Sequence, residues 1–282
     1  MSVLTKKLQR ELQAVSAIRE LTDVFQNTAS IKIRAVRAEV LASKLFFNEL
    51  WGIYQDLRVR HHSNNELGKI NRHLHLYISS PAGLAGPSDE QILRILQSEH
   101  SPGASDIIVL GSHGNYLLKN YDLAPLRAFE MPDIGEDFMV EPILEIVRQY
   151  ETTTAYYNSY QSLTLQRPAK LTLLLEAQQL TEEERLQVEQ GATEIITADN
   201  YILEPNAQHV IDYLSQIMLN TSITQLVLES QLAQQAGRFT NMSLAHSRAE
   251  KLTQKTNQRL FSLRRRERDE STRQIVTAAG ML

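Results

Sequence analysis

The sequence predicts an α/β protein in which a long antiparallel coiled coil, made by the two chain ends, accompanies a central domain built on a mostly parallel sheet. Three observations predict it. From Asn206 to Leu282 there is no proline, and Gly237 is the only glycine before Gly280. Across that stretch Ile211, Leu214, Met218, Leu226, Ser230, Ala233, Gly237 and Leu244 follow three- and four-residue steps or multiples of them. Residues 3–60 show the same habit, and between the two ends short apolar runs alternate with amphipathic ones, the pattern of a Rossmann-like βαβ domain. The predicted division is 1–60, N-terminal coiled-coil helix; 61–205, central α/β domain; and 206–282, C-terminal coiled-coil helix.

About seventy helical residues at 1.5 Å each reach on the order of 100 Å. That exceeds what a domain of this size can bury, so the helix must lie along another long helix or enter another protein. In the N-terminal helix, Leu8, Glu11 or Leu12, Val15, Ile18, Leu21 or Thr22, Phe25 and Thr28 or Ala29 form a narrow stripe, closer to a coiled-coil seam than to a globular helix face.

Composition sets bounds. The chain has 282 residues, 42% of them hydrophobic, a formal net charge of -4 and no cysteine. Disulfides, thiolate metal sites and a cysteine nucleophile are therefore excluded. No apolar run is long enough to span a bilayer as a helix, and no signal peptide is visible at the N-terminus. Charge is unevenly placed: residues 1–60 and 210–282 each carry ten Lys/Arg against six Asp/Glu, while 61–209 carry nine against twenty-one. Basic helical ends flank an acidic middle, which suggests different surroundings for the two.

In the middle, His73–Ser79 alternates and ends at Ser-Ser-Pro, a strand running into a turn. Pro81–Pro87 is a loop. Ser88 is placed to cap a helix over Asp89–Gln97, with Asp89 and Glu90 at its positive end. Asp106–Gly111 is a short buried-type strand, Ser112–Asn120 a turn and short helix, and Gly135–Tyr150 an amphipathic helix turning Phe138, Ile143, Ile146 and Val147 inward. Thr152–Thr164 and Ala169–Leu175 read as two strands joined by a turn at Gln166–Pro168. Thr181–Gly191 is a charged, helical or unstructured stretch, and Ile195–Glu204 is a last strand that Pro205 ends.

Catalytic chemistry is scarce. His73 and His75 alternate on one strand face and could hold a metal. No third ligand lies at ligand spacing, so an exposed strand face is expected, as for His61-His62. Gly83-Leu84-Ala85-Gly86 stands where a phosphate loop would stand, but no Lys-Ser/Thr follows and Pro87 removes a donor, so a plain turn is expected. Ser112 beside His113 lacks the nucleophile-elbow pattern. No catalytic, cofactor-binding or metal-ligating residue is expected. The strongest charge cluster is Arg264-Arg265-Arg266-Glu267-Arg268-Asp269-Glu270, which covers all sides of a helix. A one-sided basic stripe would suit a phosphate surface; an all-round collar suits a helix end wrapped by carboxylate-bearing protein.

These features together resemble the gamma subunit of F-type rotary ATPases, the central stalk. Glu229-Ser230 stands as in that family's C-terminal helix, followed by Ala233-Gln234 in place of Ser-Glu, Arg238, Phe239 in place of Met, then Met242, Ala245 and Ala249-Glu250. Tyr201-Ile202-Leu203-Glu204-Pro205 is similar to the family's lead-in to that helix. Gly83-Leu84-Ala85-Gly86-Pro87 is similar to its loop after the first strand, Tyr156–Ser162 to the strand before its acidic stretch, and Ile275–Ala279 to its ending. Thr22, Ala29 and Lys32 match the N-terminal helix, whose two methionines are replaced. Of the family's Arg-Gln-x-x-Ile-Thr-x-Glu only Arg264 survives, which marks a divergent member.

The resemblance implies a non-catalytic rotor shaft coupling proton or ion flow through a membrane c-ring to ATP synthesis or hydrolysis in a catalytic head. It implies the alpha and beta subunits of the head, the epsilon subunit and the c-ring as partners. It also implies no cofactor, no nucleic acid and a peripheral position on the cytoplasmic face of the cell membrane. Arg264, Arg265, Arg266, Arg268 and Phe25 would meet the head, and Glu204 and Pro205 would lie on the foot side, towards the c-ring. Alternatives are a rotor of a hydrolysis-only rotary ATPase, a coiled-coil adaptor, or a small α/β enzyme using Gly83–Gly86 or Ser112 and His113.

Overall fold

The structure, a computed structural model, describes residues 3–61, 70–81, 87–136, 138–173 and 204–279. The Gly83–Gly86 loop, His62, the acidic stretch 181–191 and the expected strand from Ile195 to Leu203 lie outside the described residues. Among the described residues the elements follow in the order α1 (Val3–His61), β1 (Ile70–Ile78), α2 (Ser88–Glu99), β2 (Ser105–Leu110), α3 (Ser112–Asn120), β3 (Arg127–Phe129), α4 (Glu141–Val147), β4 (Tyr150–Ser162), β5 (Leu165–Thr172) and α5 (Ala207–Ala279). The chain forms two compact units, one of residues 1–30 with 238–282, the other of residues 31–237.

The first unit is an antiparallel pair of helical segments. On α1, Leu8, Val15, Thr22 and Ala29 are buried at seven-residue intervals, with Thr5 buried one step before them and Leu12, Arg19 and Gln26 half-buried between. On α5, Ala249, Thr253, Thr256 and Leu260 are buried at four-, three- and four-residue steps. This is a coiled-coil seam made largely of small and polar residues. It is tied across by Thr5 Oγ1 donating to Glu267 Oε1 at 2.7 Å and by His246 Nδ1 donating to the Arg19 carbonyl at 3.2 Å. The expected stripe is out of phase by one residue over part of its length: Ile18, Leu21 and Phe25 are exposed, while Arg19, Thr22 and Gln26 face the seam. Two stripes with the same spacing coexist on α1, and the buried one is the less apolar.

The second unit carries a five-stranded sheet in the order β3-β2-β1-β4-β5. β1 to β4 are parallel to their neighbours, and β5 returns antiparallel to β4. One face, with Tyr77, Ile107, Val109 and Tyr156, packs under Ile92, Leu93 and Leu96 of α2 and Leu117 and Leu118 of α3. The opposite face, with Leu74, Leu76, Ile78, Ile108, Leu110 and Ala155, is covered by α4 and by Leu219, Ile223, Leu226 and Val227 of α5. A third cluster joins Trp51, Tyr54 and Leu57 of α1 to Ile211 and Met218 of α5.

Several local expectations are corrected. β1 is a central strand with its last five residues buried, so His75 is not on an exposed face: it is 2% exposed. The β4–β5 turn is Leu163-Thr164, and Gln166–Pro168 lies within β5, an edge strand that tolerates a proline. The helix expected from Gly135 is confined to Glu141–Val147, because Pro142 is accommodated only in a first turn. Ile143 and Val147 are buried as expected, while Phe138, outside the helix, only flanks the core. Ser88 is the first helical residue of α2 and does not cap it. The three residues of β3 went unforeseen; two are exposed and the run is too short to show a period.

Candidate partner-binding surface

The seam of the first unit runs to Glu267 on α5, through half-buried Leu263. The helix leaves its partner only there, because Thr256 and Leu260 continue the three–four spacing of the seam. From Arg268 to Thr277 every residue is exposed, yet the helix persists to Ala279. An isolated helical end of this length is marginal in water, since nothing of its own chain repays the ordering.

Arg264, Arg265, Arg266 and Arg268 are all exposed, and Glu267 between them turns to Thr5. Among the described residues these arginines make one hydrogen bond, from Arg268 Nε to the Arg264 carbonyl, at a long 3.4 Å. Their exposed side chains leave guanidinium donors accessible to carboxylates. Beside them Asn257, Gln258, Leu260, Phe261 and Arg264 line an open groove of about 450 Å³. Phe25 is 41% exposed, in a stripe with Ile18, Leu21 and Val24. In the second unit, Glu204 and Pro205 are exposed, and the next residue, Asn206, caps α5 by accepting the His209 N–H at 2.8 Å.

The Glu229-Ser230 pair has a visible role. Glu229 accepts from Ser159 Oγ at 2.6 Å and from the Tyr160 N–H at 3.3 Å, and Gln231 Nε2 donates to the Pro132 carbonyl at 2.8 Å. The Glu229 bonds fix α5 to the C-terminal end of β4, and the Gln231 bond fixes it to the connection between β3 and α4, beyond the apolar contacts of Ile223 and Val227.

Ser112 and His113 do not form a nucleophile–base pair. Ser112 Oγ donates to the Pro81 carbonyl at 2.5 Å, whereas His113 Nδ1 lies 2.7 Å from Asp89 Oδ2. Asp89, 1% exposed, also accepts from the Ser80 N–H at 3.1 Å and from Ser80 Oγ. It ties the start of α2 to the ends of β1 and the start of α3, in place of a capping serine. Gly114 and Gly111 permit this crowding: a Cβ on Gly114 would lie 2.4 Å from Ser79 Oγ, and Gly111 has φ +108. Burial pushes the Tyr77 phenol up, and its hydroxyl donates to the Asp89 carbonyl. At the opposite end of the sheet, burial lowers the pKa of His75 to about 4, with His73 and His100 acting in the same direction and Glu99 against it.

Residues 4–280 match the family model described as ATP synthase. The chain belongs to that family. Its relatives include the ATP synthase gamma chains of Prosthecochloris aestuarii, 24% identical with 89% of each chain covered, and of Clostridium botulinum, 22% identical with 97% of this chain and 96% of the other covered. Among solved structures, the central stalk of the Tetrahymena thermophila mitochondrial ATP synthase matches with a TM-score of 0.55 at 16% identity, covering 80% of this chain and 99% of that one. A chain of the Euglena gracilis mitochondrial ATP synthase matches with a TM-score of 0.54 at 14% identity, covering 94% and 93%. Such low identities speak for the fold: paired terminal helices and a central mostly parallel sheet. Membership of the family favours neither the small enzyme nor the unrelated adaptor.

Proposed function

We propose that this chain is the rotor shaft, the gamma subunit, of an F-type ATP synthase, with its C-terminal helix inside the catalytic head. The observation that carries the reading is the end of α5. The seam stops at Glu267, the helix continues through a further twelve residues to Ala279, and Arg264, Arg265, Arg266 and Arg268 are all exposed. A helix of that kind needs a sleeve, and a sleeve of alpha and beta subunits bearing carboxylates would supply it. Phe25, on the exposed apolar stripe, would meet the same sleeve. Glu204 and Pro205 would lie on the foot side, where the c-ring and the epsilon subunit bind, on the cytoplasmic face of the membrane. The three segments 1–60, 61–205 and 206–282 then serve as shaft helix, foot domain and shaft helix.

Mechanically, an asymmetric shaft imposes different states on equivalent catalytic sites only through contacts that differ with its angle. A seam in which threonine and alanine alternate with Leu8, Val15 and Leu260 lets the two helices approach closely. Exposed arginines can exchange carboxylate partners as the shaft turns without unburying a deep apolar surface at each step.

Truncation after Glu267 tests this. The shortened chain should fold with the parent's thermal midpoint, since residues 268–277 pack against nothing of their own. ATP turnover by the assembled complex should fall, and arginine-to-glutamate changes at 265 and 266 should reduce it further. Full coupled turnover with the truncated chain would refute the reading.

A further inference from the structure

Among the described residues, the tie furthest along α5 in the first unit is the bond from Thr5 Oγ1 to Glu267 Oε1 at 2.7 Å. Up to that point α5 is anchored: Ala249, Thr253, Thr256 and Leu260 are buried, and Leu263 and Glu267 are half-buried. From Arg268 to Thr277 every residue is exposed. The side-chain hydrogen bonds of this stretch turn back on its own helix. Arg268 Nε donates to the Arg264 carbonyl, Ser271 Oγ to the Glu267 carbonyl at 2.9 Å, Thr272 Oγ1 to the Arg268 carbonyl at 2.9 Å and Thr277 Oγ1 to the Arg273 carbonyl at 2.8 Å. Such back-bonding ties the segment to no other element and slightly weakens a helix.

We propose that α5 beyond Glu267 folds stably only when it docks: in the free chain this segment exchanges between helix and coil, and an enclosing partner that bears carboxylates holds it helical. The seam supplies the helical nucleus, so the segment is spared the cost of nucleation and depends on propagation alone. Propagation is weak here. Asp269, Ser271, Thr272, Ile275, Val276 and Thr277 make up six of the ten residues from 268 to 277, and each disfavours helix against alanine by a factor of about two to three. At the root of the segment Arg264 and Arg268 stand one turn apart with like charge. At its far end the last turn has no basic residue to meet the negative end of the helix.

The chemistry of the partner follows from what is left uncovered. The four arginines from 264 to 268 offer donors to carboxylates, and Ile275 and Val276, 69% and 64% exposed, offer apolar area to be buried. Ordering the segment at the moment of docking lowers the affinity gained for a given contact area. In return, the segment can enter an enclosed site before it takes its final form. The docked order rests on the shaft reading above, in which the catalytic head is the enclosing partner; the fraying of the free chain does not.

Hydrogen exchange read by mass spectrometry separates the two. In the free full-length chain, residues 268–279 should exchange within about tenfold of an unstructured chain, with protection falling from Arg268 outward, while 249–260 should be protected by about a hundredfold or more. In the ATPase complex assembled with this chain, exchange at 268–279 should slow by about a further tenfold or more. Thr272→Ala with Thr277→Ala, two exposed positions that bond only their own helix, should enrich the helical form and slow exchange of the free segment by about threefold. Firm protection of 268–279 in the free chain, no slowing in the complex, or exchange indifferent to the two alanines would each overturn the proposal and leave the shaft reading standing. Failure of the chain to assemble with an ATPase head would sink the shaft reading and, with it, folding on docking.

Discussion

Replacing His75 by phenylalanine should remove much of the acid sensitivity of the central unit. The ring is 2% exposed, and its pKa is lowered from 6.5 to about 4, chiefly by burial. Between those values the unfolded chain binds a proton that the folded chain refuses. The stability linked to His75 is thus fully present above about pH 6.5, declines as pH falls, and is gone below about pH 4. At about 1.36 kcal/mol per pH unit, the whole interval is worth roughly 3 kcal/mol, and the part between pH 6.5 and 5 roughly 2 kcal/mol. Phenylalanine preserves the aromatic volume and cannot titrate. The assay is urea unfolding at the two pH values in EDTA, followed by circular dichroism and by the fluorescence of Trp51, the single tryptophan, buried in the same unit. His73, also lowered by burial, and Glu99, lowered mainly by its bond from Lys170, titrate with the same sign. The informative quantity is therefore the difference between parent and variant. Equal losses in both on going from pH 6.5 to 5 would refute the reasoning.

Other perturbations test the packing. Gly114→Ala would press a Cβ to 2.4 Å from Ser79 Oγ and 2.7 Å from Ser79 Cβ; a loss of about 1–3 kcal/mol is expected, read as a lowered urea midpoint. Asp89→Ala leaves the Ser80 N–H and the His113 ring without their acceptor and should cost roughly 3 kcal/mol, with faster hydrogen exchange at the start of α2. Ile223→Ala, at a position 0% exposed between α5 and the sheet, should cost about 2–5 kcal/mol in the same denaturation assay.

The architecture was legible because it rests on local periodicity. A three–four spacing without proline marks both terminal helices, and alternating short runs mark the βαβ order. The arginine collar was legible as a charge run, and the structure leaves it facing outward. What misled were positions where two local solutions compete. Ser88 looked like a cap, but the buried Asp89 one residue on accepts three bonds from the ends of β1 and α3 and sets the geometry instead. Gln166–Pro168 looked like a turn, but the edge position of β5 lets a proline sit in the strand.

By itself the sequence determined that both ends are long helices, that the middle is an α/β domain with a mostly parallel sheet, and that the chain resembles rotor gamma subunits. These follow from spacing along the chain, which is a local property. Only the tertiary structure decided the phase of the seam, because Ile18, Leu21 and Phe25 and their neighbours Arg19, Thr22 and Gln26 have the same spacing, and the partner helix selects between them. Likewise, only the folded chain brings His100 to His73 and His75. They are twenty-five or more residues apart, and the crossover from β1 through α2 to the parallel β2, not any sequence period, sets their distance.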